Sequence, residues 1–235
     1  MTFTWASGTH QGRVRTNNED HLYPQTSGSS DTRSVFAVAD GMGGHVAGEI
    51  ASSKAIDIAI GTSGSVEERI AAANDAIVDA AEENRRLAGM GTTLTIAELD
   101  PNGSVSIGHV GDSRAYLLRT GVLRQLTTDH SVVAEYLAAG KIRPEDVARH
   151  PQRSMLTRAL GLSRTVEVDV LTEDLQPGDR LLLCTDGLSS MITDDDIAAR
   201  LADGTPDQAV WSLIEAANAA GGYDNVTVVV VDTRP

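Results

Sequence analysis

Short apolar runs separated by turn residues dominate this chain, and most are too short and too rich in β-branched residues to be helices. Residues 92–99 and 104–110 flank Asp100-Pro-Asn-Gly103, a strong hairpin turn. Residues 115–119 and 122–125 flank Thr120-Gly121, which predicts a second hairpin, and residues 166–171 and 180–185 around Leu175-Gln-Pro-Gly178 predict a third. Hairpins in series imply antiparallel pairing, because parallel neighbours need long crossovers.

A second period, near 3.6, marks the helices. Val46, Ile50, Ala51, Ala55 and Ile58 form one apolar stripe. Ser65 and Glu68 make a capping box ahead of Val66, Ile70, Ala73, Ile77, Ala80 and Leu87. Thr205, Pro206 and Gln208 open a helix whose stripe is Val210, Leu213, Ile214 and Ala217, and Gly221-Gly222 stops it. Helices with a single apolar stripe must lie on a sheet face, so the pattern predicts layers with sheets inside and helices outside. Residues 128–161 interrupt this scheme with a helix over 131–139 closed by Gly140, then Pro144-Glu-Asp-Val-Ala-Arg149, and read as a flap at one edge of the sheets. Residues 25–32 read as a hairpin tip or surface loop, and 61–64 as a break between helices.

The length, 235 residues, suits one large domain over 1–235 that buries roughly 70–75% of its unfolded surface. No linker and no repeat divides it. A formal charge of −14 argues against a nucleic-acid surface, and a solvated acidic exterior accounts for much of it. Cys184, the single cysteine, lies in a leucine run and reads as a buried small hydrophobe. With neither a signal peptide nor a membrane-length apolar stretch, a cytoplasmic monomer without membrane contact is expected.

The chemistry lies at the ends of the strand-like runs. Ser34-Val-Phe-Ala-Val-Ala-Asp40-Gly41, Val105-Ser-Ile-Gly-His-Val-Gly111-Asp112 and Arg180-Leu-Leu-Leu-Cys-Thr-Asp186-Gly187 each finish on an aspartate, and Asp224-Asn225 precedes Val226-Thr-Val-Val-Val-Val231. Any one of these reads as a turn residue. Four of them at core strand ends bring carboxylates to one edge, where they repel unless cations sit among them. Arg15-Thr-Asn-Asn-Glu19-Asp20 adds two more acids. No cysteine pair or spaced histidine pair accompanies them, so oxygen ligands favour Mg²⁺ or Mn²⁺, with Ca²⁺ left open. The glycines after Met42 let backbone approach a metal, and the Gly41 carbonyl is available as a ligand.

With Arg15-x-x-Asn-Glu19-Asp20, Asp40-Gly-Met-Gly-Gly44, Gly91-Thr-Thr93, Gly111-Asp-Ser-Arg114, Thr185-Asp-Gly187 and Asp224-Asn225 in this order, the chain resembles the metal-dependent protein phosphatases (PPM, or type 2C) in their bacterial form. The resemblance implies an α+β fold of four layers, α/β/β/α, with two antiparallel sheets face to face. It implies that Asp40 bridges two Mn²⁺ or Mg²⁺ ions, with Glu19 and the Gly41 carbonyl on one and Asp186 and Asp224 on the other. Asp112 with Asp186 matches a third, weaker metal position, and Ser154 lies where a flap residue can approach it. Arg15 matches the arginine that grips the substrate phosphate.

The expected activity is hydrolysis of phosphoserine and phosphothreonine by metal-bound hydroxide, without a phosphoenzyme. The expected partners are phosphorylated proteins, among them a serine/threonine kinase. Met42 departs from relatives that carry a histidine there as general acid; His45, three residues on, reads as a helix-start or surface group. The rival readings are a non-catalytic regulatory module of the same fold and an acidic Ca²⁺-binding β-domain. The complete set of carboxylates disfavours an inactive regulatory module.

Overall fold

Both faces of the central strands are apolar because each strand serves two cores. A computed structural model, describing residues 1–43 and 46–235, places twelve strands in two antiparallel six-stranded sheets. The first contains β1 (Thr2–His10), β3 (Gly28–Ser30), β8 (Arg114–Arg119), β9 (Val122–Gln125), β11 (Arg180–Cys184) and β12 (Val226–Arg234), ordered β3-β1-β12-β11-β8-β9. The second contains β2 (Asp20–Tyr23), β4 (Ser34–Met42), β6 (Leu94–Leu99), β7 (Ser104–Val110) and β10 (Asp169–Asp174), ordered β10-β7-β6-β4-β2, with β5 (Gly91–Thr92) paired to the end of β4.

Alternation along β11 illustrates the layering. Leu181 and Leu183 enter the core between the sheets with Phe3, Phe36, Val229 and Val231. Leu182 and Cys184 point the other way, onto α6 (Asp194–Leu201) and α7 (Pro206–Ala219) through Ile197, Leu213 and Ile214. On the opposite side α1 (Ala47–Gly61) and α2 (Val66–Glu83) cover the second sheet through Ala51, Ala55, Ile70 and Ile77. This is the expected four-layer α/β/β/α arrangement.

The capping box at Ser65–Glu68 and the helix opened by Thr205, Pro206 and Gln208 form as expected, the latter with a capping box of its own, as do the hairpins at 100–103 and 120–121. The third hairpin does not. β10 begins at Asp169 rather than 166 and pairs with β7, whereas β11 pairs with β8 and β12 in the other sheet. The Leu175–Gly178 turn therefore carries the chain between sheets.

The buried face of α1 is also rotated from the expected stripe. Ala47, Ala51, Ser52, Ala55, Ile56 and Ala59 are buried, while Val46 is 58% exposed. Small residues let this helix lie close to β4. The segment 25–32 contains β3, which adds an edge strand to β1.

Between β9 and β10 lie α3 (Val132–Ala138), capped by Ser131, and α4 (Pro144–Val147), with α5 (Asp186–Ser189) following β11. The base of the 128–161 segment is closed by a bridge between Ser131 and Leu156 and another between Thr92 and Leu160. Among the described residues no helix is long and apolar enough to cross a membrane.

Candidate metal centre

The strand order explains why the aspartates meet. β4 and β7 run in the same direction in one sheet, and β11 ends where its antiparallel neighbour β12 begins in the other. All four aspartate-bearing ends therefore open at one edge. Arg15, Glu19, Asp40, Gly41, Asp112, Asp186 and Asp224 line a single cleft there of about 620 Å³, joined from the 128–161 segment by Ser154. Met42 lines the same cleft; His45, with Gly44, lies outside the described residues.

Hydrogen bonds fix the backbone beneath these groups. The Gly91-Thr-Thr93 sequence clamps Asp40: Thr93 Oγ1 accepts from the Asp40 N–H at 2.9 Å, while Thr92 Oγ1 and the Thr93 N–H donate to the Asp40 carbonyl at 2.8 and 2.9 Å. Gly41 donates to the Glu19 carbonyl at 3.1 Å, and a Cβ at Gly41 would stand 2.1 Å from the Gly48 carbonyl of α1, so no side chain fits. Ser52 Oγ, also on α1, donates to the same Glu19 carbonyl at 2.5 Å.

Asn225 had no assigned role in the sequence, yet it organises the N-terminal loop. Its Oδ1 accepts from the Glu19 N–H and its Nδ2 donates to the carbonyls of Gln11 and Asn17, at 2.8 to 2.9 Å. The loop bearing Asp112 is tied to the start of the 128–161 segment. His130 Nδ1 accepts from the Gly111 N–H at 3.0 Å, and Arg114 grips Asp129 bidentately at 2.8 and 2.7 Å.

Asp20 is the one acid of the Glu19-Asp20 pair to which the motifs assign no ligand role. It stands opposite Asp40 in the β2–β4 register, is 4% exposed, and accepts from Thr185 Oγ1 at 2.8 Å. Its pairing with Glu19 and the threonine of Thr185-Asp-Gly187 were the available signals. Its Oδ1 and that of Asp186 are buried with no hydrogen-bond partner among the described residues. Buried carboxylate oxygens so placed call for a cation.

The electrostatics agree. Burial and then the charge of Asp186 push Asp112 up to about 8; burial and then Asp224 push Asp186 up to about 6. Burial raises Asp20 to about 7 against the pull of hydrogen bonds from Thr227 and Thr185. Asp40 is driven well above the usual carboxylate range by burial, then by Asp20 and Asp186. Cys184 is fully buried, and that burial pushes its thiol up to about 12, leaving it inert as a nucleophile.

Among the described residues Arg15 is the one cation of the cleft lining. Its Nη2 donates to Asp224 Oδ2 at 2.6 Å, and its side chain is 56% exposed. Among the described residues no three carboxylate, histidine or cysteine side chains converge into a finished ligand cage. Asp224, with one oxygen engaged by Arg15, is part of that arrangement. The donor set itself, carboxylates and a glycine carbonyl around unpartnered buried oxygens, fits hard divalent ions.

Crowding has a consequence for stability. Asp20, Asp112 and Asp186 sit above the unfolded value of 3.8, so in the absence of divalent ions they hold protons that the unfolded chain has already released. Their contribution is complete below that value and is lost as pH rises through about 6 to 8. Melting temperature in chelator is therefore expected to fall between about pH 5.5 and 8.5, and Mn²⁺ should remove the slope. A flat profile in chelator would contradict the crowded-carboxylate account.

Comparison with known proteins agrees with this geometry. A family model described as protein phosphatase 2C matches residues 7–209. The chain is 41% identical to the serine/threonine phosphatase stp of Listeria monocytogenes over 95% of its length and 93% of that protein. The crystal structure of the Mycobacterium tuberculosis serine/threonine phosphatase PstP/Ppp superposes with a TM-score of 0.92 at 38% identity, covering all of both chains. A PstP catalytic domain in complex with two manganese ions matches with a TM-score of 0.89 at 36% identity, over 100% of this chain and 99% of that one. The chain belongs to the protein phosphatase 2C family, the metal-dependent serine/threonine phosphatases.

Proposed function

We propose that this enzyme removes phosphate from phosphoserine and phosphothreonine in proteins by direct attack of water, with Mn²⁺ or Mg²⁺ held at the carboxylate edge and no phosphoenzyme. The observation that carries the reading is the meeting of Arg15, Glu19, Asp40, Gly41, Asp112, Asp186 and Asp224 on one cleft. Asp40, Glu19 and the Gly41 carbonyl would hold one ion; Asp40, Asp186 and Asp224 would hold the second. Asp112 with Asp186 would hold a third, with Ser154 approaching from the flap. Such ions, when bound, activate water and neutralise phosphoryl charge.

The chain's own groups prepare the site. Thr92 and Thr93 hold the Asp40 backbone on both sides, so its carboxylate does not have to be organised during the reaction. Arg15 projects from an exposed loop and reaches the same carboxylates, so it can take two oxygens of an incoming phosphate in place of Asp224. Met42 has no proton to give, which leaves water in the open cleft as the proton source for the departing alcohol. The unreactive Cys184 supplies no covalent route. Phosphorylated proteins, including a serine/threonine kinase, are the partners this reading implies. The complete donor set weighs against a non-catalytic module of the same fold.

The deciding experiment is phosphate release from a phosphothreonine peptide with Mn²⁺ and with chelator; no Mn²⁺-dependent release would overturn the reading. In the same assay Arg15→Ala is expected to lower kcat/KM roughly tenfold to a hundredfold, the worth of a charge-assisted hydrogen bond to a phosphate. Its pairing with Asp224 is half-exposed and screened, so the variant should keep its melting temperature. An unchanged kcat/KM would remove Arg15 from substrate binding.

A further inference from the structure

Met42 is half-buried at the cleft, where its thioether neither binds a hard ion nor moves a proton. Next to it, Leu162 is 59% exposed and lines the same cleft as the carboxylates. The two side chains lie together across Gly91: a Cβ at Gly91 would stand 2.8 Å from Met42 Cε and 3.3 Å from Leu162 Cδ2. Met155, 51% exposed, and Leu156 line the cleft from the 128–161 segment. Single exposed apolar residues are ordinary, but several apolar side chains lining one polar cleft mark a binding surface.

The loop carrying Leu162 is held unusually firmly for a surface segment. Asn74, 1% exposed on α2, accepts from the Gly161 N–H at 2.9 Å and donates to the Ser163 carbonyl at 2.9 Å, bracketing Leu162 on both sides. Arg164 is paired with both Asp79 and Glu82 of α2. Two residues earlier, Leu160 exchanges backbone hydrogen bonds with Thr92 at 2.9 and 3.1 Å, tying the loop to the strand that clamps Asp40. Leu162 is thus fixed relative to the phosphate end of the cleft, and little ordering is left to lose when a ligand covers it.

We propose that Met42 and Leu162 form a pinned apolar subsite that takes an aliphatic side chain neighbouring the phosphorylated residue, and so select phosphopeptides by that neighbour. The inference rests on the phosphatase reading and specifies its substrate class. Continuity with the carboxylate cleft fixes the occupant as the substrate's own chain: a peptide whose phosphate sits among the carboxylates and Arg15 occupies the same cleft that these apolar side chains line. An aliphatic neighbour covers them, whereas a polar one of equal size leaves its own hydrogen bonds unmade.

The test compares two phosphothreonine peptides that differ only in having leucine or glutamine on both sides of the phosphothreonine, a pair matched in size and free of charge differences. With Mn²⁺, the native enzyme is expected to favour the leucine peptide about tenfold in kcat/KM, mostly through KM, the scale of a modest apolar contact. Leu162→Gln should bring the ratio towards one, and Leu162→Ala, a smaller change at an exposed site, should lower it in the same direction. Taking the ratio cancels any general loss of activity in a variant. Equal turnover of the two peptides by native enzyme overturns the subsite alone, as does a ratio that survives both substitutions. Release of phosphate from neither peptide overturns the phosphatase reading and the subsite with it.

Discussion

Asp40→Asn is expected to lower Mn²⁺-dependent turnover of a phosphothreonine peptide by at least about a thousandfold, while the folded protein survives. Two features set the size of the effect. Asp40 stands where carboxylates from both sheets meet, and its own charge is strained by burial and by Asp20 and Asp186. An amide of the same shape offers one neutral oxygen where an anion is needed, and metal assistance worth several kcal/mol corresponds to three or more tenfold steps in rate. The backbone clamp from Thr92 and Thr93 does not depend on the side-chain charge, so the strand end should hold.

The same substitution relieves repulsion in the metal-free protein. Melting in chelator near pH 8 should therefore be equal to or higher than that of the native chain, while stabilisation by Mn²⁺ shrinks. Turnover within tenfold of native would exclude Asp40 as the central ligand. A variant that loses activity because it unfolds would betray itself in the chelator melt.

Arg180→Leu is expected to cost about 3–5 kcal/mol of folding stability, with no direct effect on the cleft. Arg180 is 8% exposed at the start of β11 and grips Asp232 of β12 through two hydrogen bonds of 2.5 and 2.9 Å. Its remaining donors go to the carbonyls of Leu201 and Gly204 at 2.6 and 2.8 Å, at the end of α6. One guanidinium thus ties two central strands to the helix layer outside them.

Removing it leaves the largely buried Asp232 carboxylate and the buried Leu201 carbonyl without their partner, the situation in which a broken buried pair is most costly. Adding Asp232→Leu removes the stranded charge and should restore a substantial part of the loss. Urea unfolding of the single and double variants measures both numbers. A single-variant cost below about 1 kcal/mol would mean that the pair behaves like an exposed surface bridge.

Much of this molecule was legible locally. The capping boxes at Ser65 and Thr205, the hairpins at 100–103 and 120–121 and the apolar stripe of α7 depend on residues a few positions apart. Patterns of that range are written directly in the chain. The four aspartates were legible for the same reason: each ends or begins an apolar run. β1 carries no strand signal of its own because it mixes Thr, Ser and Gly with its apolar residues, and its identity as a strand comes from nine paired residues of β12 at the far end of the chain. The buried face of α1 departs from its apolar stripe because contact with β4 is made mainly by small Ala and Ser residues, which leaves Val46 exposed.

The order of residues along the chain names those that could serve: acids at strand ends, an arginine ahead of Glu19, a methionine where some relatives carry histidine. Which of them act on one another follows from how the two sheets and the helices pack. That packing set Asp20 against Asp40, placed Arg15 on Asp224, sent β10 and β11 to different sheets, and laid Met42 beside a Leu162 held by Asn74. The division is physical. Propensity, capping and turn chemistry act over one or two turns of chain. Burial, pKa and sheet membership are set by neighbours far along the chain, as at Arg15 and Asp224 or Thr2 and Arg234, and those neighbours exist only once the sheets have packed.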